Sequence, residues 1–193
     1  MSNKKPTIFL DRDGTVNELN GYIASYDQVK ILDGVPEAIR IFNELKYLVI
    51  IITNQPVIEM GLVTIKNLEK IHIKIKSEIK KRGGHIDAFF YCPHMEVNKA
   101  NASEKTDSCS CRKPQTGLVR NAMAIYEIDL PNSIMIGDSW RDVELAKNLG
   151  IKYFQIVDKP VSGEKSSESV NTLLESALII EKQAKANVEF KGV

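Results

Sequence analysis

The stretch Ile8-Phe9-Leu10-Asp11-Arg12-Asp13-Gly14-Thr15 passes abruptly from an apolar run into two carboxylates and a glycine. An apolar run without alternation marks a strand buried on both faces, the kind found in parallel sheets. With Thr7 added, this first run covers Thr7–Leu10, and four others behave alike: Leu48–Thr53, Ala88–Tyr91, Ser133–Ile136 and Tyr153–Val157. Helix-period segments lie between them at Pro36–Leu45, Ile65–Ile79, Gly117–Tyr126 and Asp142–Leu149, the last followed by Gly150 as a stop. Strands alternating with helices predict an α/β fold, a central parallel sheet with helices on both faces. In such sheets ligands bind beyond the carboxyl ends of the strands. Asp11, Thr53 and Asp138 each close a strand, so they are expected to meet.

With 193 residues, one domain is expected over 1–193. Two segments depart from the regular pattern. One is a polar loop at about 92–111; the other is a Ser/Gly/Lys-rich linker from Pro160, leading to a helix over Glu168–Lys185 in a tail that runs to 193. Basic and acidic residues nearly cancel, 26 against 25, which argues against a nucleic-acid partner. The lysine-rich run Lys74–Arg82 carries isoleucines at helical spacing and reads as a solvated helix face. No apolar signal region follows the short polar start, and Leu48–Ile52 is too short to cross a bilayer. A cytoplasmic protein without a membrane partner is expected, and a monomer is the simplest state.

Phosphoryl transfer needs an attacking oxygen, an acid for the leaving group and cations that offset the phosphate charge. Asp11 and Asp13 can face one site if the chain turns at Gly14. Asp11 could then attack phosphorus while Asp13 protonates the departing oxygen, and afterwards Asp13 would deprotonate a water. Two aspartates in a turn are more often turn formers, so their company matters. Thr53-Asn54-Gln55 puts a hydroxyl and backbone N–H donors at the end of the second strand; the plain alternative is a polar turn or helix cap. Lys113 offers a fixed positive charge. Asp138, in Gly137-Asp138-Ser139-Trp140-Arg141-Asp142, would complete a Mg²⁺ site with Asp11 and the backbone carbonyl of Asp13. Asp142 could orient that shell or simply cap the next helix.

Cys92-Pro93-His94 and Cys109-Ser110-Cys111 supply four soft or borderline ligands in two close pairs, which suits tetrahedral Zn²⁺. Four protein ligands leave no open position, so the expected role is structural: a clip for the polar stretch between them. The alternative is three free cysteines and a surface histidine. The clip would set Arg112 and Lys113 beside the site. His72 and His85 lack comparable company and read as core or surface residues.

In order, Asp-x-Asp-Gly-Thr, a strand-end Thr, a Lys and Gly-Asp-x-x-x-Asp resemble the four signature motifs of the haloacid dehalogenase superfamily, across residues 8–157. The resemblance implies a Rossmann-like three-layer sandwich, Mg²⁺ dependence, Asp11 as nucleophile, Asp13 as acid and base, and Thr53 and Lys113 as phosphoryl stabilisers. Thr15 is expected to be structural. Within the superfamily, DRDGT, Gly21-Tyr22, TNQ, CPH, CxCRKP and GDSWRD resemble the D-glycero-D-manno-heptose-1,7-bisphosphate 7-phosphatases, with the histidinol-phosphate phosphatases as close relatives. That likeness implies removal of the C7 phosphate of a small phosphorylated sugar, in nucleotide-heptose biosynthesis. It also implies substrate contacts from Asp11, Arg12, Asp13, Leu19, Asn20, Gly21, Tyr22, Thr53, Asn54, Gln55, Pro56, Arg112 and Lys113. No large inserted cap separates the motifs, so an open site is expected.

One run departs from the family pattern. Where the family shows Ser-Gly-Ile and then an Arg-Gly pair, this chain has Pro56-Val57-Ile58-Glu59-Met60-Gly61. An acid enters and an arginine is lost near an anionic substrate, which bears on substrate identity and affinity rather than on chemistry at Asp11. The competing readings are histidinol phosphate or another small sugar phosphate as substrate, and a non-catalytic zinc-stabilised binding protein. Intact Asp11, Asp13, Lys113 and Asp138 argue against the last.

Overall fold

A computed structural model describes residues 3–19, 21–96, 109–157 and 168–190. Its strands are β1 (Thr7–Leu10), β2 (Leu48–Asn54), β3 (Ala88–Cys92), β4 (Ile134–Gly137), β5 (Lys152–Ile156) and β6 (Ser169–Val170). They form one parallel sheet in the order β3-β2-β1-β4-β5-β6. The helices are α1 (Val35–Glu44), α2 (Ile65–Lys81), α3 (Gly117–Met123), α4 (Trp140–Leu149) and α5 (Leu173–Phe190). All five expected strands are present within a residue or so, and α4 stops just before Gly150.

The two faces of the sheet can be read from alternation along the central strands. Ile8, Leu10, Val49, Ile51, Ile134 and Ile136 join one core, into which α1, α2 and α5 place Phe42, Ile75 and Ala177. Phe9, Ile50, Ile52 and Met135 join a second core with Leu118 and Val119 of α3 and Leu145 of α4. Both faces are therefore buried, which is why the strands carry no polar side. The result is the expected three-layer Rossmann-like sandwich.

The C-terminal expectation needs a correction. The helix expected from Glu168 begins at Leu173, because Ser169 and Val170 first pair with Gln155 and Ile156 as β6. Val170 is buried, so the short strand closes the sheet edge before the chain turns into α5. The linker at 160–167, most of the polar loop (97–108) and the last residues lie outside the described residues.

β1 and β4 lie side by side, and the chain leaves them in opposite directions, toward β2 and toward β5. Such a switch point opens a crevice at the carboxyl ends of the two strands. Phe42 is fully buried beneath this frame. Phe42→Ala is expected to destabilise the protein by about 3–5 kcal/mol, measured by urea unfolding.

Candidate active site

Asp11 follows β1 and Asp138 follows β4, so both stand at the switch point. The backbone N–H of Asp11 donates to the Ile136 carbonyl at 3.0 Å, tying the two strand ends together. One carboxylate oxygen from each of Asp11, Asp138 and Asp142 lies within 4.8 Å of the others. Two glycines make room for these acids. Gly14 has φ +82°, and a Cβ there would stand 2.1 Å from Oδ2 of Asp138. A Cβ at Gly137 would stand 2.3 Å from Oδ2 of Asp142.

Lys113 enters this cluster from the loop after β3. Its Nζ lies 2.8 Å from Asp11 Oδ1 and 2.6 Å from Asp142 Oδ1, with only 3% of the residue exposed. Asn54 fixes the lysine's backbone: its Oδ1 accepts from the Lys113 N–H at 2.9 Å, and its Nδ2 donates to the Lys113 carbonyl at 3.2 Å. Asp142 caps the next helix, as considered for it, and also contacts Lys113. Its Oδ2 accepts from the N–H and hydroxyl of Ser139 at the start of α4, while its Oδ1 holds Lys113.

One ammonium thus serves two carboxylates, with a third nearby. Burial pushes the Asp11 carboxyl up to about 7; attraction to Lys113 opposes this, and repulsion from Asp142 and Asp138 adds to it. Burial, then Asp142, likewise raises Asp138. Burial works against the charge on Lys113, but Asp11 and Asp142 outweigh it and hold its pKa above the usual value. Three acids around one cation leave excess negative charge in a secluded place. Hard oxygen donors with unbalanced charge are what a divalent cation requires, so the residues fit such an ion.

The Asp13 carboxylate takes its hydrogen bonds from other residues. Arg12 grips it through Nε (2.9 Å) and Nη2 (2.7 Å), Asn17 donates to it at 2.9 Å, and Gln55 at 2.9 Å. Burial would raise the Asp13 pKa, yet these contacts, Arg12 foremost, lower it. The Arg12 side chain is therefore buried against Asp13, and its backbone N–H donates to Asp11 Oδ1 at 2.7 Å. Gln55 also donates to the Thr53 hydroxyl at 3.0 Å. Thr15 is fully buried, in keeping with a structural role.

Asp11, Arg12 and Asp13 line a cavity of about 280 Å³. Thr53, Asn54, Gln55 and Pro56 form one wall, and Leu19, Gly21 and Tyr22 form another, with Leu19 and Tyr22 more than half exposed at the rim. Asn20 lies outside the described residues. Arg112, Lys113 and Asp138 complete the expected set. The sequence reading missed Asn17, Ser139 and Arg141, which either hold Asp13 or line the cavity. A signal for Ser139 and Arg141 was available, since both lie inside the Gly-Asp-x-x-x-Asp motif.

The unusual 56–60 run has a structural explanation. Val57 is buried with Val63 and Leu68, and the Glu59 carboxylate accepts from the backbone N–H of Met95. The added acid is thus turned toward the Cys/His loop, not into the cavity.

In that loop the Sγ atoms of Cys92, Cys109 and Cys111 and the Nδ1 of His94 lie 2.7–3.5 Å from one another. Burial foremost raises the thiols of Cys92 and Cys111; hydrogen bonds overcome burial at Cys109 and draw it down to about 7. Three converging thiols cannot all ionise without a cation, so this donor set fits a soft or borderline metal. His72 is a core residue stacked on Phe89 with ring centroids 4.2 Å apart, and burial pushes its pKa down to about 3. His85 is exposed and sits near Asp87.

Gly14→Ala should destabilise the protein by more than the ~1–2 kcal/mol of a left-handed backbone alone, because its Cβ also displaces Asp138. Chemical unfolding of the variant measures the loss.

The family model described as HAD-hydrolase-like matches residues 110–160. The chain is 34% identical over 166 residues to the D-glycero-beta-D-manno-heptose-1,7-bisphosphate 7-phosphatase of Yersinia pestis, covering 85% of this chain and 87% of that protein. It is 32% identical to the protein of the same name from Escherichia coli (strain K12), over 96% of this chain and 98% of that one. The crystal structure of D,D-heptose 1,7-bisphosphate phosphatase from B. bronchiseptica, complexed with magnesium and phosphate, is similar in fold. Its TM-score is 0.77 at 28% identity, covering 92% of this chain and 99% of that one. With sequence likeness over nearly its whole length and the sheet and motif residues to match, the chain belongs to the heptose-1,7-bisphosphate 7-phosphatase family of haloacid dehalogenase-like hydrolases.

Proposed function

We propose that this chain hydrolyses the C7 phosphate of D-glycero-β-D-manno-heptose 1,7-bisphosphate in two steps through an aspartyl-phosphate at Asp11. The observation that carries this reading is the arrangement of Lys113 between Asp11 and Asp142 with Asp138 alongside. Asp11, Asp138 and the backbone carbonyl of Asp13 would hold Mg²⁺, which supplies charge neutralisation for the incoming phosphate. Asp11 attacks phosphorus, and the bond from phosphorus to the C7 oxygen breaks as Asp13 delivers a proton to that oxygen. Asp13 then takes a proton from water, whose oxygen attacks phosphorus and releases Asp11 with inorganic phosphate. Lys113 and the Thr53 hydroxyl stabilise the phosphoryl oxygens during both transfers.

The cradle around Asp13 prepares it for the second of its two steps. Arg12, Asn17 and Gln55 hold it as a carboxylate, ready to act as a base. Acting as an acid requires that it take up a proton within, or leave, that cradle. Cys92, His94, Cys109 and Cys111 would hold Zn²⁺ in a structural role, which would keep Arg112 and Lys113 in place. The protein acts in the cytoplasm as a monomer, with the phosphorylated sugar as its partner.

Phosphate release from heptose 1,7-bisphosphate and from histidinol phosphate, each with Mg²⁺, tests the reading. Preference for the bisphosphate is expected; preference for histidinol phosphate favours the related activity, and release from neither points to a binding protein. Asp11→Asn should reduce turnover by several orders of magnitude with its melting temperature within a few degrees of the parent. Burial pushes the Asp11 carboxyl up to about 7, so a proton would compete with a divalent cation for the same oxygens. Apparent Mg²⁺ affinity, measured by calorimetry, should therefore climb as pH rises toward about 7 and level off above it. Elemental analysis should find about one zinc per chain, and its removal by a chelator should lower the melting temperature.

A further inference from the structure

Two arginines meet at the mouth of the cavity, and only Arg112 was expected to contact substrate. Arg112 belongs to the Cys/His loop, and Arg141 to the first turn of α4; both line the cavity that holds Asp11. Each is fixed from behind. The Nη1 of Arg112 donates to the His94 carbonyl at 2.8 Å, and the Arg141 guanidinium lies over the Trp140 ring, 5.0 Å from its centroid. Their remaining contacts converge on a single oxygen: Nη2 of Arg141 is 2.9 Å, and Nη2 of Arg112 3.9 Å, from Oε2 of Glu96. Glu96 is 61% exposed, while the two arginines are 17% and 31% exposed.

Guanidinium groups bind carboxylates and phosphates through the same planar geometry. A solvated carboxylate between two anchored arginines therefore marks a position for an anion. Two cations against one carboxylate leave one positive charge over, and a phosphate carrying about two negative charges balances it better than Glu96 can. Lys113 and the carboxylate cluster already serve the phosphate being transferred. The rim pair is available for a second one.

We propose that Arg141, with Arg112, receives the phosphate that is not hydrolysed, and that this phosphate displaces Glu96. Arg141 is then a specificity residue that favours bisphosphorylated sugars over monophosphorylated ones. The assignment rests on the proposed phosphatase function and names the part of the substrate that this end of the cavity takes. A rival reading makes the trio only an anchor for the Cys/His loop. The two differ in sign at Glu96, which competes with substrate in the first and supports the site in the second.

Steady-state kinetics on heptose 1,7-bisphosphate and heptose 7-phosphate separate them, using the full-length protein and the variants Arg141→Ala, Arg141→Lys and Glu96→Gln. Arg141→Ala should lower the ratio of kcat/KM for bisphosphate over monophosphate by about tenfold, as expected for loss of one charge-assisted hydrogen bond. The effect should fall mainly on KM, with Arg141→Lys intermediate. Glu96→Gln should lower KM for the bisphosphate. Equal losses on both substrates in Arg141→Ala, or a higher KM for the bisphosphate in Glu96→Gln, would overturn this assignment while leaving the phosphatase reading intact. No release from either substrate by the parent protein would overturn both.

Discussion

The site depends on one buried contact, the Lys113 ammonium held between Asp11 and Asp142. A lysine this deeply buried keeps its charge only beside carboxylates, and these carboxylates tolerate their seclusion only beside a cation. The strand ends bring Asp11 and Asp138 together, and the cap of α4 brings Asp142 to the same place. Gly14 and Gly137 are required there because no side chain fits between backbone and acid. The balance is incomplete by design of the chain: three acids share one ammonium, and the deficit suits a divalent cation.

Lys113 in turn is placed by the Cys/His loop, and that loop is fastened to the neighbouring strand and turn at several points. The Gln55 N–H donates to the Cys92 carbonyl at 2.7 Å, Asn54 brackets the Lys113 backbone, and Glu59 accepts from Met95. Arg112 donates to the carbonyl of His94, itself one of the four metal-type residues. A metal at that cluster would therefore act on the cavity through main-chain geometry rather than through contact with substrate. The same fastening explains why an acid at position 59 does not place negative charge in the cavity.

Much of this was legible in the sequence, and the exceptions have physical causes. Unbroken apolar runs gave away the five longer strands because a parallel sheet buries both faces. β6 escaped because two residues show no periodicity, and Ser169 next to Glu168 looks like a helix start. Asp11, Lys113, Asp138 and the Cys/His quartet could be located because their chemistry demands those side chains at those spacings. What spacing does not reveal is which way a polar side chain turns. Arg12, Asn54 and Gln55 line the cavity as expected of substrate contacts, but the first and third also hold Asp13 and the second also holds the lysine's backbone. Asn17 carries no signal beyond lying one turn beyond the residue that it supports.

The proposed account stands or falls on a covalent bond between Asp11 and phosphorus. Enzyme quenched in acid during turnover of the bisphosphate, then reduced with borohydride, converts an aspartyl-phosphate to homoserine, which peptide mass spectrometry locates. Homoserine at position 11, and at no other aspartate, is the predicted result. Aspartate recovered unmodified at position 11 from enzyme caught in active turnover, with homoserine at another position or at none, would contradict it.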